Sequence, residues 1–198
     1  FRVRPTDPGA AAAINRFVAE AHGAGALFSI NHPVGDCAGC SWEQVMPDAL
    51  DAIEIWNGEK GPQHAAIAIW DRLLRAGRRV TAVGASDWHR SPARIEAAAV
   101  RVMAADLTQR AILDAIRRGR VVVMRDANSA TPSVRASCGT RDAAIGDTLA
   151  CAAGDTMSVR VSSLGVAGAR ADFVWNGERT ASRTIGDGAA FEMPAGTG

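Results

Sequence analysis

The spacing of apolar residues changes along this chain, and each change outlines an element. Ile14, Phe17, Val18 and Ala21 recur at i, i+3, i+4 and i+7, which puts them on one face of a helix. Thr6 or Asp7 can cap that helix, and Gly23 and Gly25 end it near Ala24. "ALFSI" (26–30) then reads as a short buried strand that leads into Asn31-His32-Pro33. "AIEIW" (52–56) reads as a second strand, followed by Asn57-Gly58. A helix near 62–76 carries Ile67, Trp70, Leu73 and Leu74 on one side and stops at Gly77. "RRVTAVGA" and "IEAAAVRVM" (95–103) are a third and a fourth strand. A helix over 107–118 is started by Asp106 or Thr108 and stopped by Gly119. Strands that alternate with helices and read as continuous apolar runs predict an α/β domain with a mainly parallel sheet, covered on both faces.

Past about Asn128 the helical period disappears. Short runs such as "SVRAS", "TMSVRVSSL", "ADFVWNGERTAS" and "AAFEM" alternate or are broken by Gly, Asp and Asn. Asn176-Gly177 between strand-like flanks signals a hairpin. The expectation is a small β domain over 128–198, sandwich-like, joined to the α/β domain (1–127) through "RDANSATP".

Composition narrows the function. A net charge of +1 with interspersed signs offers no electrostatic footing for nucleic acid or an anionic membrane. No apolar run reaches the length of a membrane span. The opening "FRVRPTDPG" reads as the interior of a longer chain. Cys37-x-x-Cys40 reads as a structural disulfide, a redox pair or two loop thiols, and Cys138 with Cys151 as a further candidate disulfide; two such local pairs lean the expected location toward an oxidising, extracytoplasmic compartment.

The candidate chemistry gathers at strand ends. Asn31-His32 follows the first strand, Glu54 and Asn57 lie at the end of the second, and Ser86, Asp87 and His89 follow the third. The carboxyl ends of parallel strands share one rim, where active sites of such folds sit. Imidazole and carboxylate donors suit zinc, manganese or iron. Asp87 and His89 point the same way if their segment is extended, and His32 would add a third donor. The competing reading has Asp87 capping a turn and His32 held in a satisfied loop before Pro33. Arg90, beside the pair, stands either to meet an anionic substrate or to be a solvated loop residue. His22 at a helix end is expected to serve the terminal carbonyls, and His64 to be solvated.

"SINHP", "DAIEIWNG", "LLRAGRRVTAVGASDWH" and "AILDAIRRGRVVV", in this order, resemble the PHP (polymerase and histidinol phosphatase) superfamily, and most of all its carbaryl-hydrolase-like CehA/McbA branch. The resemblance implies that residues 1–127 are the C-terminal part of a distorted (β/α)7 barrel with two or three divalent ions (zinc, manganese or iron). It implies His32, Asp87 and His89 as metal ligands, Asp87 and His89 as the catalytic pair, and Glu54 and Asn57 as supporting residues. The implied activity is hydrolysis of a small phosphoester, ester or carbamate by metal-activated water. The family's H-x-H strand is absent, since none of His22, His32, His64 and His89 forms that motif. The chain is therefore expected to associate with a missing N-terminal part or to dimerise over its open edges. The alternative is a non-catalytic module: a scaffold whose β domain binds a partner or a glycan.

Overall fold

The computed structural model describes residues 6–35, 42–162, 168–184 and 189–194. Helix α1 spans Ala10–Gly23 and buries Ala10, Ile14 and Val18, leaving Phe17 at its margin. Strands β1 (Ser29–Ile30), β2 (Ala52–Asn57) and β3 (Thr81–Ala85) form a parallel sheet in that order. Ile30 lies opposite Ile53, and Asn57 opposite Ala85. Between β2 and β3 runs helix α2 (His64–Arg75).

The core of this unit forms around β2. Ile30, Leu50, Ile53, Leu73 and Val80 make its buried centre, and Phe28, Trp42, Ile69 and Trp70 pack against them. The buried side of α2 carries Ala66, Ile69, Trp70 and Leu73, while Leu74 faces outward. The expected stripe of Ile67, Trp70, Leu73 and Leu74 is thus rotated toward its N-terminal neighbours. Trp70 settles the rotation, because its indole Nε1 donates to the Val80 carbonyl at 2.8 Å as the chain enters β3.

The parallel sheet goes no further among the described residues. Strand β4 (Ala97–Val102) pairs antiparallel with β5 (Val121–Asp126), and helix α3 (Gln109–Arg117) lies between them in sequence. Val102 sits opposite Val121, so the chain leaves and re-enters the pair at the same end. The Met103 N–H donates to the Arg120 carbonyl and extends that ladder by one bond. A parallel return would have to carry the chain back along six residues of β4, roughly 20 Å. The 18 residues from Met103 to Arg120 could span that distance, so the pairing of Val102 with Val121, and not the length of the connection, sets the direction. The expectation of a mainly parallel α/β sheet, part of a distorted (β/α)7 barrel, is therefore corrected. The strand–helix–strand alternation is present, but the last such unit reverses direction and no barrel closes among the described residues. Helix α3 starts on a true cap, with Thr108 Oγ1 accepting from the Ala111 N–H. Its C-terminal turn meets β3, where Thr81 Oγ1 donates to the Ile116 carbonyl at 2.6 Å.

The chain divides into two units, Phe1–Ala127 and Asn128–Gly198. The second is all β among the described residues. Strands β6 (Ser133–Cys138), β7 (Arg141–Ala144), β8 (Thr156–Ser162) and β11 (Ala189–Pro194) form an antiparallel sheet in the order β11-β8-β6-β7. Strands β9 (Arg170–Trp175) and β10 (Glu178–Thr184) form a separate ribbon. Asn176 and Gly177 turn this ribbon with φ of 49° and 81°, the two positive values that a type I′ hairpin requires. Met157 and Val159 of the sheet share a core with Ala171, Phe173 and Ala181 of the ribbon.

Cys138 and Cys151 are joined by a disulfide, with Cα atoms 5.8 Å apart. Closing a loop of 13 residues restricts the unfolded chain by about 3 kcal/mol. Reduction is expected to lower the urea stability of the β unit by about that amount. Denaturation with and without reductant measures it, and an unchanged midpoint would contradict the assignment. Cys37 and Cys40 lie outside the described residues.

Candidate functional site

The carboxyl ends of β1, β2 and β3 lie side by side, so His32, Asn57 and Ser86-Asp87 emerge at one rim of the parallel sheet. The register shifts between Glu54 and Trp56 of β2, which marks a bulge just before the rim. Two of the residues that leave the sheet have left-handed backbones, His32 with φ 31° and Asp87 with φ 48°. Such conformations cost non-glycine residues about 1–3 kcal/mol and gather at functional sites. The rim holds together by close backbone approach: a Cβ built on Gly58, where φ is +50°, would lie 2.8 Å from the Ser86 carbonyl oxygen. Gly58→Ala is thus expected to cost about 2 kcal/mol or more and to displace the Ser86–His89 loop. Urea denaturation and amide chemical shifts across 84–90 measure the two effects, and a neutral variant with unmoved shifts would refute this account.

Beneath the rim lies a buried carboxylate. Glu54 is 1 % exposed and Asn57 4 %. Glu54 Oε2 accepts from the His32 N–H at 2.5 Å, and Oε1 accepts from Asn57 Nδ2 at 3.1 Å. These two bonds tie the loop after β1 to the centre of β2. The Glu54 carboxylate meets no cationic side chain among the described residues. Its hydrogen bonds to the His32 N–H and to Asn57 satisfy both carboxylate oxygens at this depth.

The exposed part of the rim carries Asp87, Trp88, His89 and Arg90. His89 Nδ1 stands 3.8 Å from Asp87 Oδ1, with the imidazole 78 % and the carboxylate 41 % exposed. Trp88 is exposed, and its Nε1 donates to the Ala93 carbonyl at 2.9 Å, which ties it to its own loop. Arg90 is exposed, and its carbonyl accepts from the Ala93 N–H.

The residues present fit a divalent ion in chemistry but not in number. A carboxylate and an imidazole stand close enough to share an ion after side-chain rotation, and both are ordinary zinc or manganese donors. Among the described residues, however, no three His, Cys, Asp or Glu side chains stand together so as to hold one. The structure brings Asp87 to His89, and brings Glu54 to Asn57 and to the His32 backbone. It does not join the His32 imidazole to the Asp87–His89 pair as a third donor. Comparison of the chain with family models, with curated proteins and with solved structures gives no match.

One cluster lies outside the sequence expectations. His22 does not serve the carbonyls of α1. Its Nε2 donates to Asp51 Oδ2 at 2.6 Å, and Asp51, 8 % exposed, also accepts from the Phe28 N–H at 2.8 Å. Arg117 Nε adds a longer contact to Asp51 Oδ1 at 3.7 Å. The partners are 29 and 66 residues from one another in sequence, so no local spacing announces them. The available signal was a charged residue directly before an apolar strand, Asp51 ahead of "AIEIW".

Proposed function

We propose that this chain takes part in metal-dependent hydrolysis of a small phosphoester, ester or carbamate, with Asp87 and His89 as paired donors and His32 as a third. The observation that carries this reading is the convergence of His32, Glu54–Asn57 and Asp87–His89 at adjoining ends of three parallel strands. The sequence resemblance to PHP metallohydrolases supports the same residues. A bound divalent ion would supply a water acidic enough to act as hydroxide near neutral pH. The chain's own groups do the positioning. Glu54 accepts from the His32 N–H and holds the loop after β1 in its left-handed turn. Asn57 fixes the second Glu54 oxygen, so the carboxylate cannot rotate away. Arg90 follows His89 in the chain and is exposed, so its guanidinium is open to an anionic substrate. With these three donors the ion keeps positions open for water and for substrate.

The test is equilibrium dialysis of the chain against zinc or manganese, with metal read by plasma mass spectrometry. Hydrolysis of 4-nitrophenyl phosphate and of an aryl N-methylcarbamate is followed in the same samples. Retained metal with chelator-sensitive hydrolysis is the expected result. Metal content no higher than in a chain carrying both Asp87→Asn and His89→Ala would end the proposal.

One observation favours a second reading, a binding module built on the β unit. Phe173 and Trp175 stack with centroids 6.3 Å apart at 15°, beside a groove of about 390 Å³ lined by Leu149, Met157 and Val159. Stacked aromatic rings of this kind suit a sugar face. Quenching of Trp175 fluorescence by an oligosaccharide panel, without metal, would favour this reading over the hydrolase.

A further inference from the structure

The amino ends of the parallel strands carry a second constellation, independent of the rim. Asp51 directly precedes β2, and the rim residue Asn57 ends that strand, about 20 Å away along it. A cavity of about 660 Å³ opens here, between the end of α1 and the exposed side of α3. His22, Gly25, Thr108, Arg110, Asp114 and Arg117 line it. We propose that this cavity binds the phosphate group of a small organic phosphate, with His22 and Arg110 as its direct contacts and Arg117 as an added positive charge.

The argument starts from His22. Its Nε2 is committed to the buried Asp51 carboxylate, which fixes the plane of the ring. Its Nδ1 has no partner among the described residues, and the residue lines the cavity. That nitrogen serves a phosphate in either protonation state. In the imidazolium it donates to a phosphate oxygen, and in the neutral ring it accepts from a protonated one. Arg110, in the first turn of α3, is exposed, and its guanidinium has no partner among the described residues. A guanidinium matches a phosphate with two parallel N–H bonds.

The acidic groups do not cancel this pair. Asp114 is engaged by Arg117, whose Nη1 stands 3.3 Å from Asp114 Oδ1. Asp51 is held by His22, the Phe28 N–H and the Nε edge of Arg117. Among the basic residues that line the cavity, His22 and Arg110 therefore keep donor groups that no partner among the described residues engages. The volume exceeds what a free phosphate ion needs and falls within the range of small-molecule sites, which points to an ester with an organic part.

The test titrates the full chain with phenylphosphonate, a phosphate mimic that cannot be hydrolysed. Chelator is present throughout, so that nothing binds through a metal at the rim. Expected are saturable shifts of the His22 imidazole and Arg110 Nε–H signals in nuclear magnetic resonance spectra, at matched chloride concentration. Arg110→Glu is expected to weaken binding at least tenfold, and His22→Asn by a similar factor. Asp87→Asn at the rim should leave it unchanged. Arg110 is exposed, so its variant should keep the fold, which the unperturbed remaining amide signals would confirm. Unmoved His22 signals at about ten millimolar phosphonate, or equal shifts in Arg110→Glu, would overturn the proposal. Shifts confined to His89 would do the same. None of these results depends on whether the rim hydrolyses anything.

Discussion

Chains carrying Asp87→Asn and His89→Ala together are expected to lose divalent-ion affinity by at least about a hundredfold, and to lose metal-dependent hydrolysis with it. The two side chains are the proposed donors and stand 3.8 Å apart. Asparagine keeps the size of the aspartate but offers a neutral amide oxygen, and alanine removes the imidazole entirely. Both positions are exposed, at 41 % and 78 %, so the fold should hold to within about 0.5 kcal/mol. Metal content by plasma mass spectrometry and a thermal melt on the same sample separate the two effects. Affinity that survives the double change would mean that the rim is not where this chain holds metal. His32→Ala then asks about the third donor. Alanine keeps the N–H that Glu54 accepts, so a loss of metal without a loss of stability would assign the imidazole itself.

The largest stability effect is expected from Ile53→Ala. Ile53 is fully buried at the centre of β2, the middle strand of the parallel sheet, between Ile30, Leu50, Leu73 and Val80. Deleting its three outer carbons leaves a cavity that a strand paired on both sides cannot collapse to fill. The cost should be about 3 kcal/mol or more, which lowers the melting temperature of this unit by roughly 10 °C. Urea denaturation followed by the fluorescence of Trp42 and Trp70, which pack on this cluster, reports it directly. A change below about 1 kcal/mol would show that the core is not organised around β2. The same variant should leave the Cys138–Cys151 unit's transition in place, since that unit has its own core around Met157 and Val159.

Much of the candidate site was legible because its residues sit at the ends of strands. A strand that ends two residues before His32 or before Asp87 announces where those residues emerge, whatever the strand pairs with. Their left-handed backbones carried no such signal, because φ at a single polar residue follows from the loop around it. The depth of Glu54 was also hidden. The sequence places it at the end of a strand with no sign of depth, yet a bulge and strands on both sides bury it to 1 % exposure. The place of Arg90 beside His89 follows from sequence adjacency alone.

What the sequence determined by itself is local. The period of Ile14 and Val18 makes α1, Thr108 starts α3, and Asn176-Gly177 turns the ribbon of the β unit. Each depends on residues within one or two turns of chain, where backbone geometry and side-chain spacing act directly. The tertiary structure decided the rest. It set β5 antiparallel to β4 because Val102 and Val121 meet at one end, and a strand–helix–strand pattern does not encode that direction. It rotated α2 through one indole bond, and it joined His22 to Asp51 and Arg117 across distant segments. Strand direction and long-range pairing depend on which surfaces bury one another, and no local period carries that information.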